Sequence, residues 1–242
     1  MIPFRGLLYS AARIPDLTQV VAPPYDVISA EKAAQLRARD PHNIVHIDLP
    51  EGEGASRYAR AASLLSQWSD DGVLARDATP ALYACSHRYA VRGMPERTRW
   101  GILALVRIEE DGSGIILPHE RVMDSPRRDR LELTAAARTQ LSPIFFFYSD
   151  PEGAISATLE ATTNRPADRW ASPDGVGDVR LWRLGDPDVV GRICGSFAGR
   201  KLWIADGHHR YAAARELRDR WRAESASGGD GERSYDYVLA YL

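Results

Sequence analysis

The chain has 242 residues, of which 44% are hydrophobic and 26% are charged, and its formal net charge is −2. This length and composition suit one large globular domain or two small ones. The slightly negative charge excludes the broad basic surface typical of nucleic-acid-binding domains. The two cysteines, Cys85 and Cys194, are too few and too far apart for a disulfide framework. No apolar run is long enough to cross a membrane, and the start lacks a signal-peptide pattern. We therefore expect a cytoplasmic protein whose partner is a small molecule, not a nucleic acid or a membrane.

The first half of the chain shows short helix and strand signals separated by turn residues. Ser29 is predicted to cap a helix that runs to about Arg39, because its hydroxyl can accept from the first free backbone N–H groups. The pattern of residues 43–49 indicates a strand, and residues 56–68 have the spacing of an amphipathic helix. Residues 81–89 and 100–109, joined by a polar turn, predict an antiparallel hairpin.

The second half predicts further strands and helices in alternation. Residues 142–148 contain three consecutive phenylalanines and favour a buried strand. The resulting fold class is α/β (α+β), a mixed sheet with flanking helices, either as one domain or as subdomains 1–115 and 116–242. Because the chain stops on an apolar strand, we expect either an edge strand there or the N-terminal part of a longer protein. The remaining predicted elements are short strand 114–117, helix 131–138, strand 179–184, helix 189–197, strand 201–205, helix 208–224 and strand 235–242.

The strongest chemical signal is a short apolar strand followed by a glycine turn and a helix start. Such a turn presents free backbone N–H groups and the positive end of the helix dipole, which together bind anions. Gly207 lets the backbone approach a ligand, and Arg210 can form bidentate hydrogen bonds with phosphate oxygens. The alternative is that Asp206 only caps the helix and the two histidines are exposed polar residues. The segment reads Ile204-Ala205-Asp206-Gly207-His208-His209-Arg210.

Two other regions supply candidate catalytic groups. Asp26, on a proline-stiffened turn, or Glu31, in the first turn of a helix, is a candidate general base. Glu120 is a candidate Mg²⁺ ligand together with Asp206, because Mg²⁺ takes one or two carboxylates plus phosphate oxygens. Arg121 or Arg130 could clamp phosphates or a substrate carboxylate. The alternatives are a turn-stabilising Asp26, a dipole-complementing Glu31 and a solvated, ion-paired basic loop.

The chain resembles a bacterial family of uncharacterised proteins, domain-of-unknown-function family 1015. Its members are usually longer than this chain, and the family name implies no activity. The Asp-Gly-x-His-Arg pattern at residues 206–210 also resembles the ParB/sulfiredoxin superfamily, whose turn binds nucleotide phosphates. The stretches that carry the family resemblance lie at residues 3–6, 22–28, 41–45, 117–120, 141–144 and 204–211.

Within that superfamily, the resemblance to free-serine kinases fits this sequence best. Sulfiredoxins need a cysteine beside the motif, and partition proteins carry a helix-turn-helix domain; the sequence shows neither. The resemblance implies a kinase for free L-serine or a similar small hydroxy acid, with ATP, ADP or pyrophosphate as donor and Mg²⁺ as cofactor. A nucleotide-binding switch module and a phosphohydrolase remain the alternatives. The residues expected to hold the donor are Asp206, Gly207, His208, His209 and Arg210, with His208 and His209 also as candidate proton-transfer groups.

Overall fold

A computed structural model describes residues 1–120, 123–173, 177–225 and 232–242. The described chain forms a mixed eight-stranded sheet, a separate two-stranded antiparallel sheet and flanking helices, which confirms the α/β class. The helices are α1 (Ala30–Arg39), α2 (Val45–Asp48), α3 (Ser56–Asp70), α4 (Asp124–Ala137), α5 (Ala154–Thr163), α6 (Pro187–Ser196) and α7 (His208–Glu224). The strands are β1 (Leu7–Tyr9), β2 (Leu74–Arg76), β3 (Leu82–Tyr89), β4 (Arg97–Arg107), β5 (Ile116–Leu117), β6 (Ile144–Phe147), β7 (Arg169–Ala171), β8 (Asp178–Leu184), β9 (Leu202–Asp206) and β10 (Tyr237–Tyr241).

The main sheet has the strand order β5-β9-β6-β10-β4-β3-β8-β7. The predicted hairpin is confirmed as β3 and β4, which pair antiparallel. The expectation of an edge strand at the end of the chain is wrong, because β10 lies between β6, which is parallel to it, and β4, which is antiparallel. Val238 and Ala240 on β10 are fully buried. No residue of β10 is exposed, and a strand covered on both faces has a nearly continuous apolar sequence.

One face of the main sheet carries the largest hydrophobic core. Alternate residues of β3, β4, β6, β9 and β10 point to this face, as the period of two along a strand requires. The helices that cover it contribute Ile155 and Leu159 from α5, Ile193 from α6 and Tyr211 from α7. The first turn of α7 therefore packs directly on the sheet, next to the end of β9.

A second layer of helices packs around Trp68 and Leu133. The strand predicted at residues 43–49 is wrong, because residues 45–48 form helix α2. Asn43 explains the difference: its side-chain Oδ1 accepts from the backbone N–H of Val45 at 3.1 Å, and its amide donates to the carbonyl of Gln19 at 2.8 Å. Val45 and Ile47 are both fully buried in the short helix, and a run this short does not separate helix from strand by periodicity.

The predicted helices α1 and α7 are confirmed. Ser29 caps α1, accepting from the N–H of Lys32 at 3.1 Å, and α7 spans the predicted range. Helix α4 begins earlier than expected, at Asp124. None of the helices in the described part of the chain is long and apolar enough to cross a membrane.

Candidate functional site

The turn between β9 and α7 has the geometry that its sequence predicts. Gly207 adopts φ +93°, a left-handed conformation that residues with a side chain rarely take. Helix α7 starts at the next residue, and none of the described side chains caps it. Its first backbone N–H groups and the positive end of its dipole therefore remain available to an anion.

Arg210 holds this turn to the segment that enters β6. Its guanidinium donates to the carboxylate of Asp206, four residues earlier at the end of β9, and to the backbone carbonyl of Pro143. A Cβ on Gly207 would lie 3.1 Å from the Arg210 guanidinium carbon, so the glycine also makes room for this side chain. The guanidinium therefore lies beside the helix start, and an anion bound there would compete with these two partners for it.

His208 is buried and both of its ring nitrogens are used. Nδ1 lies 3.3 Å from a carboxylate oxygen of Glu120, and Nε2 accepts from the backbone N–H of His119 at 3.3 Å. The His119 ring packs edge-on against it, with centroids 4.6 Å apart. Burial, then the nearby His119, lowers the pKa of His208 below its usual value. The neutral ring therefore donates from Nδ1 to Glu120 and attaches the 119–120 segment to the helix start.

His209 lies on the other side of the same helix start. It is half-buried. Its Nδ1 is enclosed and has no hydrogen-bond partner among the residues that the structure describes. An enclosed polar atom without a partner carries a desolvation cost.

A small cavity with both apolar and polar walls adjoins Arg210. Its volume is about 40 Å³, enough for a water molecule or a small substituent of a substrate. The cavity lies where α2, α4, the 138–143 segment and the start of α7 meet. Its polar lining consists of Asp48, Arg130, Thr134, Gln140, Ser142 and Arg210.

Arg130 organises the wall of this cavity. Only 4% of the residue is exposed. Its Nη1 donates to the Asp48 carboxylate at 2.9 Å and to the Asp48 carbonyl at 3.0 Å, and its Nε donates to Asp129 at 2.9 Å. The guanidinium also stacks on the Tyr25 ring, 3.8 Å from the centroid. A buried cation with these partners is fixed in position, which suits a positioning role better than a mobile phosphate clamp.

Asp48 is the buried carboxylate of the site. The Ser142 hydroxyl donates to its second oxygen at 3.3 Å. Burial raises the pKa of Asp48, and the positive charges of Arg130 and Arg210 oppose that rise. Sequence reasoning missed Asp48 and Tyr25 as site residues. The available signal was a carboxylate inside an apolar run, because a buried acid needs a partner.

The other predicted residues differ in how close they come to the turn. Asp26 is exposed, in a one-turn helix beside Tyr25, and its charge acts on the Tyr25 hydroxyl. Glu31 lies on the exposed face of α1 and contacts Gln35 at 3.4 Å. Arg121, a predicted clamp, lies outside the described residues. Within the described ranges, no cluster of three or more His, Cys, Asp or Glu side chains could hold a metal ion.

The family resemblance expected from the sequence is confirmed over the whole chain. Residues 1–242 match the family described as "Protein of unknown function (DUF1015)". The chain belongs to this family. Comparisons of this DUF1015 chain with curated proteins and with solved structures gave no match. The function must therefore be argued from the site itself.

Proposed function

We propose that this protein is a phosphotransferase that moves a phosphoryl group from a phosphate donor to a small hydroxy acid, with free L-serine as the best candidate. One observation carries the proposal. The uncapped start of α7, with Arg210 beside it, opens next to a cavity that contains a buried carboxylate. Phosphoryl transfer depends on positioned charge and a base that orients the nucleophile, more than on covalent chemistry by the protein.

The donor phosphates would lie at the N-terminus of α7. The backbone N–H groups of residues 208–210 supply hydrogen bonds, and Arg210 supplies the charge that a transferring phosphoryl group needs. The chain's Asp-Gly-x-His-Arg pattern resembles that of the free-serine kinases, and this resemblance supports the same assignment. The Asp206 carboxylate is about half exposed beside the turn. It could hold a Mg²⁺ ion that neutralises the donor phosphates.

The acceptor hydroxyl would enter the adjacent cavity. Asp48 is the carboxylate in its wall, and burial raises its pKa, which makes its ionised form a stronger proton acceptor. Asp26 is the alternative base, on the turn next to Tyr25. We do not assign the base to Glu31, because its side chain contacts Gln35 on the outer face of α1.

The test is phosphorus NMR of the protein with Mg²⁺, L-serine and, in separate samples, ATP, ADP or pyrophosphate. The proposal expects a serine-dependent phosphomonoester signal that is lost in Arg210→Ala and kept in Arg220→Ala, a matched change on the exposed side of α7. Loss of the signal in Asp48→Asn but not in Asp26→Asn would assign the base. Release of inorganic phosphate alone would indicate a phosphohydrolase, and unaltered donor spectra in all samples would refute a phosphate site.

A second candidate function is a nucleotide-binding switch without metabolite turnover. The contacts of Arg210 favour it, because a phosphate would compete with the Pro143 carbonyl and the Asp206 carboxylate for the same guanidinium. Binding would then be coupled to movement of the segment before β6. Such a switch requires Arg210 but neither Asp48 nor Asp26, so donor binding without product, unaffected by Asp48→Asn, would identify it.

A further inference from the structure

Aromatic side chains cover part of the sheet face opposite the main core. Phe147 and Trp203 are 57% and 40% exposed. The Phe145 ring lies between those of Phe147 and Tyr241, with centroids 5.0 and 5.2 Å away. We call these four residues, Phe145, Phe147, Trp203 and Tyr241, the aromatic shelf.

The strand register places the shelf residues side by side. Phe147 pairs with Trp203 across β6 and β9, and Phe145 pairs with Tyr241 across β6 and β10. Directly paired residues project from the same face of a sheet. Gly101 on β4 leaves the space that the Tyr241 ring occupies, since a Cβ there would overlap the ring. The shelf is therefore a packed platform and not a set of scattered exposed rings.

An arginine side chain packs against the aromatic shelf. The Arg99 guanidinium carbon lies 4.8 Å from the Phe145 centroid and 5.5 Å from the Tyr241 centroid. Arg99 contacts His87 at 3.2 Å and forms no ion pair with any carboxylate in the described part of the chain. An arginine stacked on aromatic rings favours a planar ligand that also carries negative charge.

The shelf adjoins the phosphate turn. Phe145 pairs directly with Asp206, the last residue of β9. Trp203 lies three residues before Asp206 on β9, opposite the two-residue step from Phe147 to Phe145 on β6, so the two residues are about 7 Å apart along the strands. The base of a nucleotide whose phosphates lie at the turn would therefore reach the near part of the shelf.

We propose that the aromatic shelf binds the base of a nucleotide whose phosphates lie at the start of α7. This inference rests on the proposed function and specifies its donor as a nucleoside di- or triphosphate, in preference to pyrophosphate. Stacking on aromatic rings is available to every base, because each has a π-face. The shelf therefore supplies affinity for a nucleotide without requiring one particular base.

The test compares binding of ATP and of pyrophosphate by calorimetry to the wild type and three variants. Phe147→Ser and Trp203→Gln each remove one exposed ring of the shelf. Trp170→Ser is the matched control, because Trp170 is 61% exposed on β7, at the opposite edge of the sheet. We expect each shelf variant to weaken ATP binding about tenfold and to leave pyrophosphate binding unchanged, since stacking contributes only to the nucleotide. The control should bind both ligands as the wild type does.

Three outcomes would overturn the inference, and they are distinguishable. If pyrophosphate binds through Arg210 but the shelf variants bind ATP normally, the base site is wrong and the phosphate site stands. If the wild type binds neither ligand, both the phosphate site and the base site are wrong. If ATP binding is unchanged while the shelf variants abolish a concentration-dependent self-association in sedimentation, the shelf is an interface between copies of this chain.

Discussion

Replacing Arg130 by methionine should reveal how strongly the polar wall of the cavity supports the fold. The change removes the cation that donates to Asp48 and Asp129 and stacks on Tyr25. Asp48 would keep only the Ser142 hydroxyl, at 3.3 Å, as a side-chain partner. Removing one member of a buried ion pair typically costs about 3–5 kcal/mol, because the other charge is left uncompensated. We expect a loss of that size at pH 7, measured by urea unfolding.

The same variant should recover stability in acid. Arg130 lowers the pKa of Asp48 and burial raises it, so without the arginine the folded-state pKa should rise further. A carboxyl whose folded-state pKa exceeds its unfolded value is destabilising once it ionises, and that penalty disappears as the pH falls through the folded-state pKa. The difference in unfolding free energy between the wild type and Arg130→Met should therefore shrink from pH 7 to pH 5.

Two further variants make this prediction specific. Asp48→Asn added to Arg130→Met removes the uncompensated charge and should restore part of the lost stability. Arg128→Met is the matched control, because Arg128 is exposed on the same helix and its loss should change the unfolding free energy by at most about 0.5 kcal/mol. A destabilisation by Arg130→Met that matches the control, or that is the same at pH 5 and pH 7, would refute the reasoning.

Three other predictions concern the turn, the buried histidine and the sheet. Gly207→Ala should lower the unfolding free energy by about 1–2 kcal/mol, because of its left-handed backbone, and should also weaken pyrophosphate binding. Gly199→Ala, with φ +73° and open space around it, should show only the loss of stability. Equal pyrophosphate binding by both variants in calorimetry would contradict this. The pKa of His208 is lower in the folded protein than in the unfolded chain. The stability that the neutral ring contributes is therefore present above the unfolded-state pKa and is lost as the pH falls through the folded-state pKa. Urea unfolding at pH 7.5 and 5.5 should show a smaller acid loss for His208→Gln than for the wild type, and an identical loss would count against the buried neutral ring. Tyr83 accepts from the Gly6 N–H at 2.9 Å, and Tyr83→Phe should cost about 1–3 kcal/mol by leaving that N–H unpaired; an unchanged thermal midpoint would disprove it.

The elements that the sequence predicted well depend on local chemistry. The Ser29 cap and the whole of α7 follow from residues adjacent in sequence. The hairpin of β3 and β4 follows from two apolar strands joined by a polar turn. In each case the stabilising partners lie within one turn or one hairpin, so a short window of sequence contains the information.

The parts that were missed depend on distant partners. The segment predicted as strand 43–49 is helical because the Asn43 amide donates to the carbonyl of Gln19, which lies 24 residues earlier in a short 3-10 helix. Strands β1, β2 and β7 have three residues each, and β1 and β2 form a sheet from parts of the chain that are far apart. Short strands of this kind carry little periodicity of their own.

In the candidate site, too, the contacts between sequence neighbours were predictable and the contacts between distant residues were not. The turn at Gly207 was predictable because its glycine, its helix start and its arginine are neighbours in sequence. The contact of Asp48 with Arg130 joins residues 82 positions apart, and no local pattern marks either as the partner of the other. Strand β6 shows a different limit: residues 142–148 were expected to form a buried strand, and the strand is present, but Phe147 is exposed on the aromatic shelf.

The most direct test of the phosphate site is a crystal structure of the protein with pyrophosphate bound. The account predicts phosphate oxygens within hydrogen-bond distance of the backbone N–H groups of His208, His209 and Arg210, with the Arg210 guanidinium turned from the Pro143 carbonyl toward the ligand. Pyrophosphate bound elsewhere, with Arg210 still on Pro143 and Asp206, would contradict the central claim.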